Sequence, residues 1–266
     1  MSAIDEMFES LRKAGRKAFM PFVTAGDPNL DFTAELLVEL VRRGASMCEV
    51  GMPYSDPIAD GPVIQASYTR ALARHVRVAD ILDMLRRTRP RTAAPLVAMV
   101  SYSIVHRHGL ERFVDEARAA GLAGAIVPDL LFEESERLAS VCRRADFSLV
   151  QLVTPTTPRD RALRIAESST GFLYYVSVTG ITGERTALPP SLVENVGWLR
   201  QQTPLPICIG FGVGTPEHAR LLAPVADGLI VGSAIVRRLA GAAERPREQV
   251  LAEIGDFVAE LVAAMG

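Results

Sequence analysis

The sequence predicts an α/β protein folded as a closed (β/α)8 barrel, a TIM barrel, and three observations carry that expectation. Eight apolar runs of strand length alternate with helical patterns. The runs are apolar almost throughout instead of alternating, as expected of parallel strands covered on both faces. The chain has 266 residues, or about 33 for each strand–helix unit, a size that suits a closed barrel. An open doubly wound sheet is the competing architecture, but no glycine fingerprint follows the first strand. No linker, charge run or repeat interrupts the pattern, so one domain is expected over residues 1–266.

The elements follow in order. An extra N-terminal helix precedes the first strand, which the pattern places at Ala18–Thr24. Further strands are expected at Met47–Gly51, Pro95–Tyr102, Gly124–Pro128, Phe147–Thr154, Phe172–Val178, Pro206–Gly210 and Gly228–Val231. Thr33, Leu36, Leu37, Leu40 and Val41 form an apolar stripe at helical spacing, and Leu110, Phe113, Val114 and Ala117 form another. A last helix, from about Arg247 to Met265, carries Val250, Ile254, Phe257, Val258 and Leu261 on one face. Two connections are long for barrel loops. One runs from Gly51 to Gly61 and leads into an added helix near Pro62–Ala73; the other runs from about Thr179 to Pro190. Both leave the C-terminal ends of strands, where barrel enzymes place their active sites and a lid can exclude water.

Composition removes several classes of function. With 29 basic against 31 acidic residues and a net charge of −2, there is no bulk field to draw nucleic acid or an anionic membrane. No apolar run approaches the roughly 18 residues of a membrane span, and the N-terminus lacks the basic-then-apolar pattern of a signal peptide. Cys48, Cys142 and Cys208 are an odd, widely spaced set, so a reducing cytoplasm is expected. Lysine occurs only at Lys13 and Lys17, both before the first strand, so no lysine stands at a strand end to form a Schiff base.

Two carboxylates stand out. Glu49 lies inside the apolar run Met47-Cys48-Glu49-Val50-Gly51. A buried carboxylate is costly unless it is paired or has a use, and desolvation raises its pKa towards the range where it donates and then accepts a proton. The structural alternative is a Glu bonded to loop amides or to an arginine. Asp60 ends a loop stiffened by Pro53, Pro57 and Pro62. Its alternative is to cap the helix starting near Pro62, as Asp56 would cap a turn before Pro57.

Three glycine clusters follow strands six, seven and eight: Gly180-Ile181-Thr182-Gly183, Gly210-Phe211-Gly212-Val213-Gly214 and Gly232-Ser233. Glycines let backbone amides approach an anion, and barrels often hold phosphate at these loops. His106 and His108 have metal-ligand spacing but no evident third ligand, since His75 and His218 fall on expected helices. They are read as solvated residues leading into a helix, and no metal is expected. Trp198 falls in a helical pattern and reads as packing.

The stretch Glu49-Val50-Gly51-Met52-Pro53-Tyr54-Ser55-Asp56-Pro57-Ile58-Ala59-Asp60-Gly61-Pro62-Val63-Ile64 closely resembles the signature of the tryptophan synthase α subunit family. The resemblance extends through Pro21–Pro28, Gly180–Gly183, Gly210–Gly212 and Gly232–Val236, and so covers essentially the whole chain. It implies a cytoplasmic barrel that cleaves indole-3-glycerol phosphate to indole and glyceraldehyde 3-phosphate, a retro-aldol lyase reaction in tryptophan biosynthesis. No metal or organic cofactor is implied, pyridoxal phosphate being expected only in a β-subunit partner within an α2β2 complex. Family α subunits are poor catalysts alone, because the partner orders their lids.

Carried over by position, Glu49 would protonate the indole carbon bearing the glycerol chain and then take the proton of the adjacent hydroxyl. Asp60 would accept the indole N–H and stabilise the positive charge on the ring, a division of labour that suits one protonated and one ionised carboxyl. Tyr174 would line the site near Glu49, and Phe22, Ile64 and Phe211 would pack on the indole. Gly183, Gly212, Gly232 and Ser233 would hold the phosphate, while Thr182 would meet Asp60 on closure. The chain departs from the family pattern at Tyr102-Ser103-Ile104 and Asp129-Leu130-Leu131, both on the partner face. That leaves a stand-alone indole-releasing lyase of secondary metabolism as the alternative. A metal-dependent phosphosugar aldolase or isomerase and a non-catalytic activator of a β partner are the rivals from other classes.

Overall fold

In the computed structural model, which describes residues 2–58, 60–177, 190–210 and 212–266, eight parallel strands close into a barrel in chain order. They are β1 (Ala18–Thr24), β2 (Cys48–Gly51), β3 (Leu96–Met99), β4 (Leu122–Ile126), β5 (Ser148–Val153), β6 (Leu173–Val176), β7 (Ile207–Gly210) and β8 (Gly228–Val231). Closure comes from β8 pairing with β1, from Ala18 opposite Gly228 to Pro21 opposite Val231.

Every expected strand is present, with two informative shifts. The third strand stops at Met99 instead of continuing to Tyr102. Ser101 accepts a hydrogen bond from the Ser103 N–H and caps a helix there, so Tyr102 becomes that helix's first residue. The fourth strand starts two residues early, at Leu122, where the register against β3 shifts between Leu96 and Val97. Val178, the expected end of the sixth strand, lies outside the described residues.

The helices of the outer layer are α1 (Ala3–Lys13), α2 (Leu30–Arg42), α3 (Pro62–Leu72), α4 (Val78–Thr88), α5 (Tyr102–His108), α6 (Leu110–Ala119), α7 (Glu136–Arg144), α8 (Arg159–Ser168), α9 (Pro190–Gln202), α10 (Pro216–Leu222), α11 (Ser233–Leu239) and α12 (Arg247–Ala264). The expected stripes are their buried faces: Thr33, Leu36, Leu37 and Leu40 on α2, with Phe113, Val114 and Ala117 on α6. The extra N-terminal helix, α1, is capped by Ser2 and packs Ile4 and Phe8 against the barrel interior, with the Phe8 and Phe172 rings 6.0 Å apart. The added helix, α3, has Pro62 at its start, where a missing N–H costs nothing. It lies between β2 and α4, so the loop carrying Asp60 opens directly into it.

Candidate active site

Glu49 stands on β2 opposite Phe22 of β1 and Val97 of β3. It is 0% exposed, and neither carboxylate oxygen has a hydrogen-bond partner among the described residues. Among the described residues no arginine or loop amide holds it, as a structural role would require. Burial alone pushes its carboxyl up to about 8, because no donor or cation offsets the desolvation of the charged form.

Asp60 reaches the same place from the loop after β2. Its backbone N–H donates to the Pro57 carbonyl at 3.1 Å, and Gln65 of α3 donates its side-chain N–H to the carbonyls of Asp60 at 2.8 Å and Pro57 at 3.2 Å. The Asp60 side chain does not cap α3; the cap is Gly61, with no side-chain hydrogen bond. Burial, with the negative charge of Asp129 as a smaller contribution, raises the Asp60 carboxyl to about 6. The two carboxyls therefore fall on either side of neutrality, Glu49 protonated and Asp60 ionised at about pH 7.

The helix that steadies Asp60 is itself anchored. Asp27, after β1, is 1% exposed and accepts from Arg70 through Nε at 3.0 Å and Nη2 at 2.6 Å, and from the Ser67 hydroxyl. Both donors are on α3. A buried carboxylate with three charge-assisted bonds resists displacement, and that rigidity passes to the segment entering the helix.

Glu49 and Asp60 share a cavity of about 490 Å³ with Phe22, Ile64, Tyr174, Gly212, Gly232 and Ser233. The structure thus brings together eight of the eleven residues expected from the sequence. The other three, Thr182, Gly183 and Phe211, lie outside the described residues, as does the whole Gly180–Gly183 cluster. Two strand glycines make room for the aromatic walls. A Cβ on Gly210 would sit 2.2 Å from the Tyr174 hydroxyl oxygen, and one on Gly51 would sit 2.4 Å from Cζ of Phe22. At the far end of the cavity Gly212 has φ +82°, a conformation that side chains rarely adopt.

The lining residues that sequence reasoning misses include three with distinct origins. Met99 ends β3 inside an apolar run and gives no polar signal, while His218 and Arg237 project from α10 and α11. Helical spacing separates a helix's buried face from its exposed one but does not say which residue overhangs a strand end. A second cavity of about 380 Å³ adjoins the first, sharing Asp60, Met99 and Tyr174 and running out past Leu131, Phe132 and Arg161. Beside it Asp129 accepts from the Ser101 hydroxyl at 2.7 Å and the Tyr102 N–H at 2.8 Å, tying together the two loops that depart from the family pattern.

The remaining histidines need correcting. His106 and His108 form the last turn of α5 and lead into α6 at Leu110; His106 is exposed, but His108 is half-buried, its Nε2 paired with Glu116 at 2.7 Å. His75 is not helical but follows α3 in a turn with φ +59°. Among the described residues no group of three or more His, Cys, Asp or Glu side chains is placed to hold a metal ion. Trp198 packs against the core from α9, with the Arg159 guanidinium 4.9 Å above its ring.

A neutral acid and an ionised carboxylate in one apolar cavity, beside glycine backbone suited to an anion, can pass a proton to a carbon, recover one from a hydroxyl and steady a cationic intermediate. A family model described as tryptophan synthase alpha chain matches residues 8–265. The tryptophan synthase alpha chain of Rhodopirellula baltica is 59% identical over 267 residues, covering 97% of this chain and 96% of that protein. Among solved structures, tryptophan synthase subunit alpha from Legionella pneumophila superposes with a TM-score of 0.91 at 34% identity, covering 100% of this chain and 98% of that one. A chain of the tryptophan synthase complex from Pyrococcus furiosus superposes with a TM-score of 0.83 at 31% identity, covering 92% and 98%.

Proposed function

The chain belongs to the tryptophan synthase alpha chain family, and from that membership we propose a role for each group in its cavity. The protein is a carbon–carbon lyase that cleaves indole-3-glycerol phosphate to indole and glyceraldehyde 3-phosphate in tryptophan biosynthesis. Glu49, neutral at working pH, delivers its proton to the indole carbon bearing the glycerol chain. The carboxylate so formed takes the proton from the adjacent side-chain hydroxyl as the carbon–carbon bond breaks, and the bonding electrons return to the ring. Asp60 accepts the indole N–H and stabilises the positive charge that the first protonation places on the ring. The observation that carries this reading is the pair of carboxyls in one cavity at about 8 and about 6.

Phe22, Ile64 and Phe211 pack on the indole, with Tyr174 beside Glu49. Gly183, Gly212, Gly232 and Ser233 hold the phosphate, and Thr182 meets Asp60 on closure. Two proton transfers and an electrostatic clamp complete the reaction, so it needs neither metal nor organic cofactor, and residues 1–266 act as one barrel domain. The partner is a β subunit, which carries the pyridoxal phosphate, in an α2β2 complex in the cytoplasm; no helix of the described residues is long and apolar enough to cross a membrane. No observation favours a stand-alone lyase of secondary metabolism.

Indole release from indole-3-glycerol phosphate, followed with and without a tryptophan synthase β subunit, tests the assignment. Slow release that rises sharply with β is expected. Fast release indifferent to β contradicts the partner, and no release in either case contradicts the lyase.

A further inference from the structure

His218, on α10 beyond its Thr215 cap, lines the cavity together with Gly212, Gly232 and Ser233. Its Nδ1 accepts the backbone N–H of Gly214 at 3.4 Å. With Nδ1 as an acceptor, the neutral ring carries its proton on Nε2. The Nε2–H has no acceptor among the described residues. Arg237 of α11 lines the same cavity and makes no ion pair among the described residues. Read from the sequence, His218 falls on a helix without a role, and the glycine clusters alone call for neither side chain.

An unused N–H donor and an unpaired guanidinium, lining one glycine-rich cavity, supply the donors and the positive charge that a dianionic phosphate needs. We propose that His218, through Nε2–H, and Arg237 bind the phosphate of the substrate, adding two side-chain ligands to the backbone amides around Gly212 and Gly232. This assignment rests on the phosphate-bearing substrate of the preceding section. His218 is a binding residue here, and takes no part in the proton transfers of Glu49.

The test uses glycerol 3-phosphate as an unreactive probe, measured by calorimetry and by competition against indole release. In His218→Asn the side-chain oxygen still accepts the Gly214 N–H, so the loop keeps its hydrogen bond, but the distant donor is gone. In His218→Gln the longer amide brings an N–H back to the place of Nε2. The proposal expects His218→Asn to weaken the probe about tenfold, the effect of one lost hydrogen bond to a charged group, with KM for substrate rising more than kcat falls. His218→Gln should recover most of the affinity, and Arg237→Gln should weaken binding and flatten its dependence on salt. Parent-like affinity in His218→Asn overturns the His218 assignment, and a loss that His218→Gln fails to restore marks a structural role and overturns it too. A parent protein that binds no glycerol 3-phosphate and releases no indole would instead overturn the phosphosubstrate reading on which the assignment rests.

Discussion

At the scale of single residues, Glu49 sets function against stability. An ordinary Glu ionises near 4.5, whereas Glu49 is held up to about 8 by burial. Between those values the folded protein keeps a proton that the unfolded chain has released. The stability Glu49 allows is therefore complete below about pH 4.5 and declines as pH climbs towards 8. Glu49→Gln removes the decline, so its melting temperature should exceed the parent's by a margin that widens from about pH 5 to about pH 8, in scans of both proteins. A margin independent of pH would contradict the buried, unpartnered carboxyl. The same two values set the rate profile: kcat/KM should rise as Asp60 ionises near 6 and fall as Glu49 loses its proton near 8. Asp60→Asn should remove the acidic limb from whatever activity it retains. Glu49 was legible in the sequence because a lone charge in an apolar strand has few explanations. The alternatives for Asp60 were separated only by the structure, which shows Gly61 as the cap and Gln65 gripping the loop.

At the scale of elements, the strand ends are shaped by what they leave out. Gly210 of β7 lies where a methyl group would overlap the Tyr174 ring, and Tyr174 is 4% exposed, with nowhere to retreat. Gly210→Ala should cost about 1–3 kcal/mol in denaturant unfolding, and should lower kcat/KM because Tyr174 moves into the cavity. An alanine variant with parent stability and rate would mean that the ring yields freely. Strand positions were readable because buried parallel strands are apolar along their whole length, and Ala18–Thr24 and Gly228–Val231 have the boundaries expected. The end of β3 was not, since Val100-Ser101-Tyr102 continues the apolar pattern while Ser101 diverts the chain into a helix through a cap and a bond to Asp129. That competition is tertiary, and periodicity does not register it.

At the scale of the whole molecule, the barrel places two adjoining cavities at the same end of the sheet. The second cavity leads from Asp60 and Tyr174 towards Leu131, which is 58% exposed on the loop after β4. An exposed leucine beside an apolar opening suits a protein partner. Leu131→Asp should weaken the β-subunit dependence of indole release, seen as a shift of about tenfold in the β concentration that half-activates it, roughly the effect of 1–2 kcal/mol at an interface. An unchanged half-activating concentration would place the partner elsewhere. The fold class and the family were legible from strand count, unit length and one sixteen-residue stretch. His218 and Arg237 were not, because they reach the cavity from helices distant in sequence and only closure of β8 onto β1 brings those helices beside β2.

The most direct test of the account is indole release by Glu49→Gln alongside calorimetric binding of indole-3-glycerol phosphate. Glutamine keeps the size of the side chain and cannot supply the proton, so the substrate should still bind while turnover falls by at least ~10²-fold, the usual loss with a general acid. Turnover close to the parent's would contradict the mechanism at its centre.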